Sequence, residues 1–178
     1  MESLDQQVLA HIVQSATHEV FTTMLSMELS PEGVFLEKTP PAPTEGVVSL
    51  IGLAGRWVGT GCLFCSGAFA CRISSQMLMT PIASVGEDVL DVMAELTNMI
   101  IGNVKTGLED ALGPMGLSIP TVVYGKNFTT RSAGDGEWTV FPFSLDGERL
   151  DVKICLAPSR KPHVPIRPGF PHAGSFRA

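Results

Sequence analysis

Between Pro81 and Pro114 the chain has no proline, and its apolar residues return at the spacing of an α-helix. At about 100° per residue, Val85, Val89, Val92, Met93, Leu96, Met99, Ile100 and Val104 fall on one stripe. Gly113-Pro114 closes the run. Ser84, with Glu87 three residues on, has the form of a capping box that opens it. A helix from Val85 to about Leu112, apolar along one side only, must lie on a layer that covers that side.

A comparable segment comes first. From Leu4 to about Met27, Leu4, Val8, Ile12, Ala16, Val20, Phe21 and Met24 recur at helical spacing with no Gly or Pro among them. Each helical run is followed by strand-like sequence. After the first come a short strand at Val34–Glu37, a connection stiffened by Pro40, Pro41 and Pro43, and then Val47–Leu53, Arg56–Cys65 and Ala68–Ile73. These last three are divided at Ala54-Gly55 and Ser66-Gly67 and read as a meander. After the second come Pro120–Tyr124, Lys126–Arg131, Glu137–Leu145 and Arg149–Leu156, with turns at Ala133-Gly134 and Asp146-Gly147. Met77 and Met79, near the junction, are assigned to the core.

Helix plus about three strands, twice over, predicts an internal duplication dividing near Thr80–Ser84, with pseudo-halves 4–83 and 84–157. The fold class is α+β: two layers, two long helices covering one face of a largely antiparallel sheet. With 178 residues, 44% of them apolar, the chain suits one domain, placed at 1–157. Residues 158–178 hold five prolines, four basic residues and no acidic one, a composition expected to stay extended or disordered.

Charge narrows the function. The chain carries −6 overall, and without those four basic residues its body carries −10, which argues against a nucleic-acid footprint. No apolar run reaches the roughly 20 residues that span a bilayer, and Glu2 and Asp5 stand where a signal sequence would be basic and then apolar; a cytoplasmic protein is expected. In that setting Cys62, Cys65, Cys71 and Cys155 are expected to be reduced thiols. Cys62-x-x-Cys65 lacks the four ligands of structural zinc, and the two residues point to opposite faces of a strand, so no metal site is assigned. His11 and His18 are read as helix-surface or partly buried residues without catalytic duty.

On the side of the second helix away from its stripe, Asp88, Asp91, Glu95, Asn98, Gly102, Lys105 and Glu109 advance by alternating threes and fours and form a polar ridge. Gly102 weakens the helix by about 1 kcal/mol relative to Ala, which suggests that something approaches this face closely; helix packing is the plainer account. Asn103 projects toward the apolar stripe and is expected to be structural.

By itself, Glu-x-x-Asn on a helix is a common solvated pair. The wider string Asp91-x-x-x-Glu95-x-x-Asn98-x-x-x-Gly102-Asn103-x-Lys105, with Pro120 after 21 intervening residues, resembles the CheC/CheX/FliY family of response-regulator phosphatases. The resemblance covers roughly residues 4–157. Glu19-Val20-Phe21-Thr22-Thr23-Met24-Leu25 is similar to the first helix of CheX-type members, which keep one active motif. Ser15-x-x-x-Glu19-x-x-Thr22 then reads as a decayed copy, with Thr where Asn would be required.

The resemblance implies a CheC-like fold and hydrolysis of the aspartyl-phosphate on a CheY-type response regulator. Glu95 would pair with the receiver's Lys, and Asn98 would orient a water in line with the acyl phosphate. Asp91, Gly102 and Lys105 would contact the partner, and the required Mg²⁺ would belong to the receiver rather than to this chain. It also implies a homodimer formed through sheet edges, for which Val152, Ile154 and Leu156 supply a candidate strand. The other class of function open to this fold is a non-catalytic adaptor module in chemotaxis or the flagellar switch.

Overall fold

The first helix starts where Asp5, in extended conformation, accepts the Gln7 N–H at 2.8 Å. It ends at Ser26, whose left-handed φ of 51° breaks the hydrogen-bond ladder. The computed structural model describes residues 5–37, 44–128 and 137–159. Along it run α1 (Gln6–Leu25), β1 (Ser30–Pro31), β2 (Phe35–Glu37), β3 (Thr44–Gly55) and β4 (Trp57–Cys65). There follow α2 (Gly67–Leu78), α3 (Glu87–Leu112), β5 (Met115–Leu117), β6 (Thr121–Phe128), β7 (Trp138–Leu145) and β8 (Glu148–Pro158). The Pro-rich connection at 38–43, the Ala133-Gly134 turn and the basic tail from 160 onward lie outside the described residues.

The predicted third strand of the meander, Ala68–Ile73, is part of α2. Ser66 accepts the Phe69 N–H at 3.0 Å and donates to Glu148 Oε2 at 2.8 Å, which makes it an N-cap instead of a turn residue. The helix behind it has a single β-branched residue, Ile73. The capping box expected at Ser84 does not form; Gly86 is the N-cap of α3 and no side chain caps it. Gly125 does not interrupt β6, so two expected strands are one. Met79 is 92% exposed rather than in the core, because α2 ends on it with φ at 52° and turns it outward. In α1 the buried stripe is Leu9, Val13, Ala16, Val20, Phe21 and Leu25, leaving Val8 and Met24 about half exposed.

All strand pairs are antiparallel, in the order β1-β7-β8-β4-β3-β5, with β2 also on β7 and β6 also on β3. The sequence of helix, two outer strands and a hairpin therefore occurs twice, as α1-β1-β2-β3-β4 and α3-β5-β6-β7-β8, with α2 between them. The outer strands are exchanged: β1 and β2 bond to the second hairpin, β5 and β6 to the first. Neither half can complete its sheet alone. The hairpins join through β4 and β8, in register from Trp57↔Pro158 to Cys65↔Leu150. That pairing puts β8 inside the sheet, so Val152, Ile154 and Leu156 cannot form the edge expected for a dimer. Val152 and Ile154 are core residues.

One face of the sheet carries Val47, Ile51, Leu53, Leu63, Cys65, Phe141, Phe143, Leu150 and Val152, buried against α1 and α3. α3 rests on the central strand at Gly61. A Cβ there would lie 2.9 Å from Cδ1, Cγ1 and Cγ2 of Ile101, so the missing side chain sets how closely the helix approaches.

Candidate functional site

Glu87 and Asp88 occupy the first turn of α3, where carboxylates favour the positive end of the helix dipole. The inner side of the next turns is Val89, Val92, Met93, Leu96 and Ile100, all buried, with the Thr97 hydroxyl donating to the Met93 carbonyl at 2.7 Å. This packing fixes the helix about its axis. Asp91, Glu95 and Asn98 then share an arc of about 60° on the opposite side, and each is exposed. Among the described residues, neither the Glu95 carboxylate nor the Asn98 amide has a side-chain hydrogen bond or an ion pair. A rigid helix thus holds an acceptor and a donor–acceptor amide one turn apart, open to a partner.

Further along, β5, at the edge of the sheet, flanks the same ridge. Glu109 Oε1 accepts from Lys105 Nζ at 2.8 Å and from the Met115 N–H at 3.1 Å, tying the strand to the helix. These two bonds, the one from Lys105 foremost, hold the Glu109 carboxyl below its ordinary range. Lys105, placed on the ridge as a partner contact, is thereby engaged within the chain, its side chain 21% exposed. Gly102 is half-buried, and its nearest neighbour is Leu117 Cδ1, 3.9 Å from where a Cβ would stand. That is ordinary van der Waals distance, so the fold itself does not require glycine here. Asn103 is exposed and not structural as expected, because the buried arc drifts along α3 to Ile101, Val104, Leu108 and Leu112.

On α1, Ser15 and Glu19 are exposed, but the Thr22 hydroxyl donates to the His18 and Glu19 carbonyls at 2.8 and 3.2 Å. Its one donor is thereby spent on its own helix. Cys62 and Cys65 are buried on opposite faces of β4, and loss of solvation pushes both thiols up to about 12. β5 and the following residues 118–120, which flank the ridge, were not legible in the sequence; only Pro120 marked the place.

A family model described as "Chemotaxis phosphatase CheX" matches residues 47–144, more than half of the chain and including the whole of α3. The chain belongs to the CheX family. Solved structures agree with that assignment. A CheC-like superfamily protein from Shewanella sp. PV-4 is 30% identical, with a TM-score of 0.77 over 86% of this chain and 99% of that one. Chemotaxis protein CheX from Vibrio vulnificus is 28% identical, with a TM-score of 0.75 over 84% and 99%. CheX of Borrelia burgdorferi, solved in complex with CheY, BeF₃ and Mg²⁺, shares the fold at 24% identity, with a TM-score of 0.72 over 82% and 96%. No curated protein matches. No helix among the described residues is long and apolar enough to cross a membrane.

Proposed function

We propose that this CheX-family chain hydrolyses the aspartyl-phosphate of a CheY-type response regulator in the cytoplasm, with Glu95 and Asn98 as the working pair. The observation that carries the reading is their exposure, with no side-chain hydrogen bond or ion pair among the described residues, on one arc of a helix locked to the sheet. Phosphoryl transfer proceeds through a loose transition state, so placing the water and balancing charge supply most of the acceleration. An amide can hold a water in line with the phosphorus and adds no negative charge beside the phosphoryl oxygens. Glu95, with Asp91 one turn behind it, offers an anionic handle to the receiver's Lys, which sets register and speeds encounter. Mg²⁺ enters with the receiver as part of the substrate. The Borrelia complex of CheX with CheY supports a partner of that kind for this chain.

The test is to phosphorylate a panel of receiver domains and follow inorganic phosphate with and without the protein. Faster release from at least one receiver is expected. Binding to a receiver with no gain in release would make the chain an adaptor and overturn the catalytic reading.

A further inference from the structure

Resting on that reading of the ridge, we infer that Ile119 is a specificity contact: an apolar knob that the receiver must cover when it docks on Glu95 and Asn98. Ile119 is 88% exposed, an unusual position for a large β-branched side chain. A single exposed apolar residue needs no explanation by itself. Here three further observations bear on it.

The first is rigidity. Ser118 is clamped to β3 by two bonds, Ser118 N–H to the Gly52 carbonyl at 2.9 Å and Gly52 N–H to Ser118 Oγ at 2.8 Å. Its hydroxyl also donates to the Ile119 carbonyl at 3.0 Å. On the other side Pro120 confines Ile119 to extended backbone, and β-branching restricts χ1. Little conformational entropy remains to be lost when this side chain is covered.

The second is position. The segment runs antiparallel to α3, with Met115 bonded to Glu109 and Leu117 set against Gly102. Beyond Leu117, Ser118 is bonded to Gly52 and Thr121 pairs with Leu50, so Ile119 and Pro120 fall opposite Ile51, whose partner on the other side is Gly61 beneath Ile101; this sets Ile119 at the level of the α3 turn that runs from Asn98 to Ile101. The third is chemistry. With Lys105 tied to Glu109, the exposed side chains of the ridge near Asn98 are carboxylates and an amide, which steer and orient, and an interface also needs a desolvated apolar anchor. Among the described residues, Ile119 is a large apolar side chain that stands exposed beside this part of α3.

The experiment titrates the full-length protein with a receiver activated by beryllofluoride and Mg²⁺, by calorimetry, and in parallel measures phosphate release from the phosphorylated receiver. Ile119→Ser should weaken binding about tenfold and raise the half-saturating receiver concentration equally, at unchanged maximal rate. Val58→Ser, which removes an exposed apolar group from the sheet face opposite α3, should alter neither. Unfolding curves of both variants should overlay the parent. Unchanged affinity of Ile119→Ser overturns the inference even if hydrolysis is normal. Binding that weakens as stated, with no hydrolysis by the parent protein, upholds it and overturns the phosphatase reading; no binding by the parent overturns both.

Discussion

Gly61→Ala tests whether α3 is seated directly on the central strand. The new methyl would meet three carbons of Ile101 at 2.9 Å, against an ordinary contact that begins near 3.4 Å, so about half an ångström must be found. Ile101 is fully buried and meets the methyl with both of its γ carbons, so no rotation of its outer end relieves the contact. β4 cannot retreat, being laddered to β3 on one side and β8 on the other. Overpacking of this kind costs about 1–3 kcal/mol. Replacing Gly restricts the unfolded chain and returns about 0.4–1 kcal/mol. The net loss should be about 1–2 kcal/mol, or roughly 2–8 °C in Tm for a domain of this size.

Ile101→Ala alone should cost about 2–5 kcal/mol through the cavity it leaves. In the double variant the methyl enters that space, so the two losses should fall short of their sum by about 1–2 kcal/mol. Urea unfolding at constant m-value reads all three. Strict additivity, or a neutral Gly61→Ala, would refute the contact as the determinant of helix height.

Gly102→Ala should stabilise the fold by about 0.5–1 kcal/mol, since only Leu117 stands near and at a comfortable distance; if a receiver packs closely on this turn, the same variant should bind it less well, and unchanged affinity would remove Gly102 from the interface. Cys62 and Cys65, with thiols near 12 instead of 9, should carry about a thousandfold less thiolate at pH 8 in the folded protein than when unfolded. Because the folded value is the higher one, alkylation should accelerate sharply on adding denaturant, and labelling at equal rates in both states would contradict the burial. A homodimer, expected from the family resemblance, would have to use an outer position of the sheet, at β1 and β2 or at β5 and β6; sedimentation showing only the 19.0 kDa species at micromolar concentration would overturn it.

What could be read without coordinates was local. The periodicity of α1 and α3 is written in their own residues, and Asp146-Gly147 announces a tight hairpin that the structure realises with φ values of 51° and 84°. The exposure of Glu95 and Asn98 follows from the same periodicity. Ser66 has the form of a cap, but Ala68–Ile73 is apolar enough to pass for a strand; Arg72, Gln76 and the rarity of β-branching favour helix. Pairing order was not legible. That β8 is central and β6 peripheral depends on contacts between distant halves, and nothing in the composition of Val152 or Val123 reports it. β5, three residues long, is too short for any pattern, and with it went the Lys105–Glu109–Met115 tie and the clamp that holds Ile119.

If the exposed Asn98 amide on α3 places the attacking water, its loss should be read directly in the chemical step. Asn98→Ala removes that amide from a solvent-facing position and should leave the unfolding free energy within about 0.5 kcal/mol of the parent. The direct measurement is the first-order loss of acyl phosphate from a receiver held with saturating protein, parent against Asn98→Ala, with Glu95→Ala as the companion. Asn98→Ala should fall close to the receiver's own rate, while Glu95→Ala should need more protein to saturate but approach the parental maximum. Phosphate loss at the parental rate in a fully folded Asn98→Ala protein would contradict that role of the amide.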